Sequence, residues 1–206
     1  MPGAFRQRAA LFSWLHLSIP THPWEDQSVT APESPRPSEQ PPPTLMQECG
    51  LTLPRPALIV WPPDTHLALA VLLALPAWVA LGLLVGPRMY APVGWVAWVS
   101  FVLVQPLAEE LVFRGILQGQ ALRLTTHRRQ PRRLGPVTLA NVLVTVAFVA
   151  LHLRAQPLAW ALAVAAPSLV LGHLRERMGS VWPPVLVHMV YNAGFGLTAW
   201  LAGSAT

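Results

Sequence analysis

Lysine is absent from the 206 residues, so all fourteen basic side chains are arginines. There is one cysteine, Cys49, which excludes an intramolecular disulfide. The preceding Leu45-Met46-Gln47-Glu48 does not form a lipoprotein cleavage box. Charge is scarce: 11% of residues are charged and 53% are hydrophobic, against roughly 25% charged in an ordinary soluble domain. A chain this short cannot bury so much apolar surface in its own core, so lipid is the expected solvent. Aspartate occurs only at Asp26 and Asp64, in or beside the N-terminal tail, which excludes an intramembrane aspartyl protease. No His-Glu-x-x-His sequence is present, which removes the common zinc-protease helix. No Gly-x-Ser-x-Gly elbow is present either. Internal repeats are lacking, which ranks a small transporter with a proton relay last among the readings.

What is present is unevenly spread. Residues 1–65 hold thirteen of the 23 prolines and six of the nine acids, the composition of a disordered Pro-rich tail. From residue 66 onward the only acids are Glu109, Glu110 and Glu176. Long apolar runs then follow at His66–Val85, Gly94 to about Leu124, Pro136–Leu153, Pro157–His173 and Val181–Leu201. These predict an all-α, polytopic bundle of about five transmembrane helices over residues 66–206. Trp61, Trp95, Trp98, Trp182 and Trp200 lie near segment ends, where interfacial aromatics belong. The high pI invites a nucleic-acid partner, but the arginines sit between apolar runs and set membrane orientation instead. Arg123, Arg128, Arg129, Arg132 and Arg133 in one connection, Arg175 and Arg177 in another, and four tail arginines fall on one side. The positive-inside rule then places the N-terminus in the cytoplasm and the C-terminus outside.

Ionisable groups in hydrocarbon cost several kcal/mol and are functional candidates by default. Three places qualify. In Glu109-Glu110-Leu111-Val112-Phe113-Arg114, Glu110 and Arg114 share a helix face, while Glu109 points about 100° away and is left to act as a general base on water. The plain structural alternative is an ion pair that ties two helices together. His152 ends Phe148-Val149-Ala150-Leu151-His152, either as an interfacial side chain or as a catalyst. His188 and Asn192 are four apart on one face, and serve either as two donors for an oxyanion or as interhelical hydrogen-bond glue. His173, beside Arg175-Glu176-Arg177, reads as a solvated helix terminus, and His127 falls in the basic loop.

Taken in order, Glu-Glu-x-x-x-Arg, Phe-x-x-x-His and His-x-x-x-Asn on successive membrane helices resemble the CPBP family. That family comprises CAAX-prenyl endopeptidases, bacteriocin-processing relatives and the Ras-converting enzyme. The resemblance runs from about Pro106 to Phe195 and includes EELVFRGILQ at 109–118 and GSVWPPVLVHMVYN at 179–192. It implies a glutamate-type intramembrane endopeptidase acting on a membrane-anchored protein or peptide, with no nucleic acid involved. Glu109 would activate water, His152 would hold that water, and His188 and Asn192 would stabilise the oxyanion. Glu110 and Arg114 would support them. It leaves a metal such as zinc open, with Glu109, His152 and His188 as its ligands; the second carboxylate and the Asn favour a site without one. The compact core, with Asn141 and Pro167-Ser168-Leu169 near the motifs, also resembles small relatives that accompany bacterial C-terminal sorting-tag systems. The Arg-only composition suggests a bacterium with GC-rich codons, hence the inner membrane. The competing reading is a non-enzymatic membrane binding or immunity protein that uses the same cluster structurally. One geometric demand follows: straight helices would leave His152 about 24 Å and His188 about 10 Å from their starts, so tilt or breaks near Pro157, Pro167, Pro183 and Pro184 must bring them level.

Overall fold

The computed structural model describes residues 43–54, 64–85, 89–127 and 130–204. They form six helices: α1 (Leu45–Glu48), α2 (Thr65–Leu84), α3 (Gly94–Thr125), α4 (Leu139–His152), α5 (Leu158–Met178) and α6 (Trp182–Ser204). Between α3 and α4 lie two short antiparallel hairpins, Thr126–His127 with Gln130–Pro131 and Arg133–Leu134 with Val137–Thr138. The all-α membrane bundle expected from the apolar runs is therefore present.

Its polarity is inside out. Leu83, Leu84 and Val93 are more than 80% exposed, whereas Glu110, Arg114 and Gln118 are fully buried. A soluble protein would bury the first set and solvate the second, so the outer surface is matched to lipid. Four helices, α2, α3, α5 and α6, are long and apolar enough to cross a membrane. The fifth expected span is shorter. Thr138 caps α4 by accepting the Asn141 amide at 3.0 Å, so the helix starts at Leu139 rather than Pro136 and runs for 14 residues. That is about 21 Å, less than the roughly 30 Å of hydrocarbon. At the other extreme α5 runs on to Met178, past the expected end at His173, and carries Arg175, Glu176 and Arg177 on the helix itself.

Proline sets the internal breaks. Pro76 would clash with the carbonyl of Leu72, and α2 is interrupted at Leu73. Pro167 stands in the same relation to Ala163, and α5 is interrupted at Val164. Pro106 lies within α3 and is tolerated because the preceding turn, Ser100–Val104, is π-helical. A second π-helical stretch, Leu111–Leu117, follows the two glutamates. It turns Phe113, Arg114 and Gly115 inward in succession, which a regular 3.6-residue period does not do. Close approach between helices depends on glycine: a Cβ on Gly172 would overlap the Asn141 side chain, and one on Gly194 would overlap the Trp78 indole.

Within the stretch assigned to the Pro-rich tail, residues 43–54 are folded onto the bundle. Thr44 and Gln47 form a reciprocal capping box around α1, and Cys49 is buried. The rest of that tail, 1–42 and 55–63, lies outside the described residues, as does Trp61.

The N-terminus of α2 is pinned by charge. Asp64 accepts the amides of His66 and Leu67 and pairs with Arg177 through contacts of 2.7–3.0 Å. The Arg177 guanidinium holds the Asp64 carboxyl down at about 2 from an ordinary 3.8. A lowered folded-state pKa stabilises above the unfolded value, and the benefit disappears as pH falls through the folded one. The anchor is therefore expected to be intact above about pH 4 and lost towards pH 2. Hydrogen exchange at the His66 and Leu67 amides should accelerate across that window in the wild type. The step should be absent in Asp64→Asn, which keeps a cap but has no charge to lose.

Candidate active site

The site lies where α3, α4, α5 and α6 meet, and Arg114 is its structural centre. Its guanidinium is fully buried, 3.2 Å from Glu110 Oε1 one turn earlier on α3. Nη2 donates to the Ser168 carbonyl at 3.0 Å and to Ser168 Oγ at 2.9 Å. The plane rests 4.8 Å from the Phe148 ring centroid. Ser168 Oγ in turn lies 3.0 Å from Thr145 Oγ1 on α4, and Asn141 donates to the Leu169 carbonyl at 2.9 Å. One buried cation thus ties three helices together through polar groups that would be costly to strand in lipid.

The adjacent acids occupy different surroundings. Glu110 is sealed from the exterior, while the Glu109 side chain keeps 27% of its exposure. His188 bridges them. Its Nδ1 is 2.8 Å from Glu110 Oε1 and its Nε2 is 3.8 Å from Glu109 Oε2. A carboxylate accepts, so Nδ1 carries the hydrogen and Glu110 fixes both tautomer and ring direction. Nε2 is left facing Glu109. The same logic applies to His152, whose Nδ1 donates to the Phe148 carbonyl at 2.9 Å, leaving its Nε2 lone pair free.

The depth difference between the two histidines is reduced by this back-bonding, and Phe148 lies between their rings. The His152 ring folds one turn back along α4, 4.4 Å from the Phe148 ring, and Phe148 lies 6.4 Å from the His188 ring. Side chains on a helix lean towards its N-terminus, which carries both α4 rings towards the level of His188.

Asn192 sits one turn beyond His188, with Nδ2 donating to the Phe101 carbonyl at 2.8 Å. The reason is legible in α3. In the π-helical turn the Gln105 amide bonds the Ser100 carbonyl, so the Phe101 carbonyl would be met by residue 106, which is proline and has no N–H. Asn192 fills that vacancy with one of its two amide hydrogens, and the other remains available.

Of the six residues expected from sequence, Glu109, His188, Glu110 and Arg114 form a chain of successive contacts. His152 joins through Phe148, and Asn192 through its helix. Ser168, Thr145 and Gln118 belong to the same buried network and were not singled out as site residues. Their signal was helical spacing, since Gln118 continues the Glu110–Arg114 face by one more turn and Thr145 follows Asn141 by one turn. Gln118 donates to the Gly172 carbonyl and to Glu176. Glu176 also accepts from Thr138 at 2.6 Å. His173, expected as a solvated terminus, is instead 3.1 Å from His66 through ring nitrogens.

Among the described residues no group of three or more His, Cys, Asp or Glu side chains converges as a metal site would require. Glu110, by holding His188 Nδ1, already does the orienting that an outer carboxylate does for a metal-bound histidine. As placed, Glu109, His152 and His188 do not come together as three ligands of one ion. Two buried acceptors, Glu110 Oε2 and Gln118 Oε1, have no hydrogen-bond partner among the described residues, the kind of atom that a water satisfies.

A bundle with an apolar exterior, a partly open carboxylate and a histidine held by a second, sealed carboxylate suits a membrane-embedded hydrolase. The chain belongs to the Type II CAAX prenyl endopeptidase Rce1-like family, whose model matches residues 91–194, a stretch containing all six residues. It is accordingly a protease, a hydrolase acting on peptide bonds, of the CPBP type. Neither the curated proteins nor the solved structures gave a match.

Proposed function

We propose that the chain is a metal-free, glutamate-type intramembrane endopeptidase that cuts a membrane-associated protein or peptide near its C-terminus. The observation that carries this reading is the His188 bridge between Glu109 and Glu110. Glu109, the accessible acid, takes a proton from water as that water attacks the scissile carbonyl. His152 Nε2 accepts the water's other hydrogen and orients it. Negative charge develops on the carbonyl oxygen. His188 Nε2 donates to it in the imidazolium form, whose charge Glu109 and Glu110 flank. The second amide hydrogen of Asn192 completes the donor pair. Glu109 then returns its proton to the departing amine as the C–N bond breaks. Arg114 balances Glu110, which keeps the ring aimed.

The family's name refers to prenylated C-termini; for this chain a membrane-anchored peptide or a C-terminal sorting tag in a bacterial inner membrane is the better substrate class. The same proposal places the N-terminus in the cytoplasm, from the arginine distribution. Sequencing the C-termini of membrane proteins in cells carrying wild type or Glu109→Gln at matched abundance tests it. A defined set of C-termini should lengthen in the variant. Wild-type membranes stripped of divalent ions should still trim those termini. If no terminus changes and a binding or resistance phenotype survives the substitution, the cluster is structural and the protease reading of this site is wrong.

A further inference from the structure

Arg175 and the segment 44–54 are left unused by the proposed chemistry, yet they are joined to it. Arg175 is 4% exposed, and among the described residues no carboxylate stands within ion-pair distance of it. It spends its hydrogens on backbone instead: Nε donates to the Arg114 carbonyl at 3.2 Å and Nη2 to the Glu48 carbonyl at 2.8 Å. One end of this buried cation grips the residue that balances Glu110. The other grips the N-terminal segment.

The segment is built to receive that grip. Gly50 has φ +64, and a Cβ there would overlap the Arg175 guanidinium. Only glycine combines that conformation with that clearance. The Gly50 carbonyl accepts the Val181 amide at 2.8 Å, and the Thr52 carbonyl accepts Ser180 Oγ at 2.8 Å. On α3 a Cβ at Gly119 would lie 2.5 Å from the Glu48 carbonyl oxygen, so the segment lies directly on that helix. Three successive alternate carbonyls, those of Glu48, Gly50 and Thr52, are thus held by Arg175 near the end of α5 and by Val181 and Ser180 in the turn that leads into α6. Beneath them sits Cys49, buried.

We propose that residues 44–54 form a strap whose docking is read out at the catalytic centre through Arg175, a positioning residue. The proposal rests on the protease reading only for its functional meaning. With the strap seated, Arg175 holds the Arg114 backbone, Arg114 holds Glu110, and Glu110 fixes the tautomer and direction of His188. With the strap lifted, Arg175 loses one of its two acceptors in a site of low dielectric. It then relaxes towards water and releases the Arg114 turn, which is π-helical, held by the wider and rarer i→i+5 ladder rather than an α-helical one. His188 then loses its orienting partner. Anything that binds the chain N-terminal to the strap would in this way govern the site.

The test uses the full-length chain in detergent micelles and needs no substrate. Two rates are read by peptide mass spectrometry: alkylation of Cys49 by N-ethylmaleimide, which reports strap opening, and carbethoxylation of His188 by diethyl pyrocarbonate. His152, whose ring is held by the Phe148 carbonyl of its own helix and not by Glu110, is the internal reference. Arg175→Gln should raise Cys49 alkylation by about tenfold, as a local opening would, and raise the His188-to-His152 ratio severalfold. Gly119→Ala leaves Arg175 in place and improves helix propensity, but crowds Glu48; it should move both readouts in the same direction, and it carries the test alone should Arg175→Gln fail to accumulate. Cys49 exposure in these variants with an unchanged His188 ratio would overturn the coupling. A Cys49 that stays protected in Arg175→Gln would overturn the role of Arg175 as the clasp. A coupled strap on a chain that cuts nothing would overturn the protease reading alone.

Discussion

Glu109→Gln is expected to lower turnover by about 10²–10⁴-fold, the usual worth of a general base, while folded protein accumulates at close to the wild-type level. The substitution is isosteric, and the contact of Glu109 across helices is long and partly exposed. Its side chain retains 27% exposure, and its one close polar neighbour is His188 Nε2 at 3.8 Å. An amide keeps that shape but cannot take a proton from water. Glu110→Gln should behave differently although it removes the same charge one residue away. Glu110 is sealed and balances a fully buried Arg114, so its loss strands a cation and reduces folded protein as well as activity. The comparison requires abundance and turnover measured on both variants. Equal loss of abundance in the two would mean that both acids are structural, and the division of labour between them would be wrong.

How much of this was legible in the sequence depended on how local the cause was. The helices were, because apolar runs of spanning length bounded by Pro and Arg leave few alternatives; α2 and α3 begin within a residue of expectation. The α4 start was misplaced because its boundary depends on one Thr138 hydroxyl. The α5 end was misplaced because Arg175 and Arg177 look like a solvated terminus until Arg175 is seen facing inward. The six motif residues were legible as ionisable or amide groups where lipid should tolerate none. The pairing of His188 with both glutamates was not, because it depends on where α6 sits against α3. The use of Asn192 could not be read from spacing either. It follows from a π-helical turn that leaves the Phe101 carbonyl facing a proline, a tertiary accommodation of Pro106 that no periodicity announces. Segment 43–54 is the largest departure. Its composition resembles the tail that precedes it, and its order comes from Arg175, Ser180 and Val181, more than a hundred residues away.

The second large effect falls on stability. Arg114→Met is expected to cost about 3–5 kcal/mol, the range for breaking a buried pair by removing one partner. Methionine matches the length of the arginine stem and packs readily against Phe148, so volume is not the problem. What it leaves behind is the Glu110 carboxylate, fully buried, with one oxygen already lacking a hydrogen-bond partner and the other supported by His188 alone. Ser168 loses its donor at both its carbonyl and its hydroxyl. If the penalty is chiefly the stranded charge, adding Glu110→Gln to Arg114→Met should recover part of it, because a neutral amide oxygen can still accept from His188 Nδ1 without an uncompensated charge. The double variant should therefore resist unfolding better than Arg114→Met, in a denaturant titration in micelles, and still lack activity, since no carboxylate then balances charge on His188 from its Nδ1 side. A double variant no more stable than Arg114→Met would move the weight of the network from the Glu110 pair to the Ser168 and Thr145 contacts. Arg114 would then matter as a clamp between α3 and α5 rather than as the counter-charge of the site.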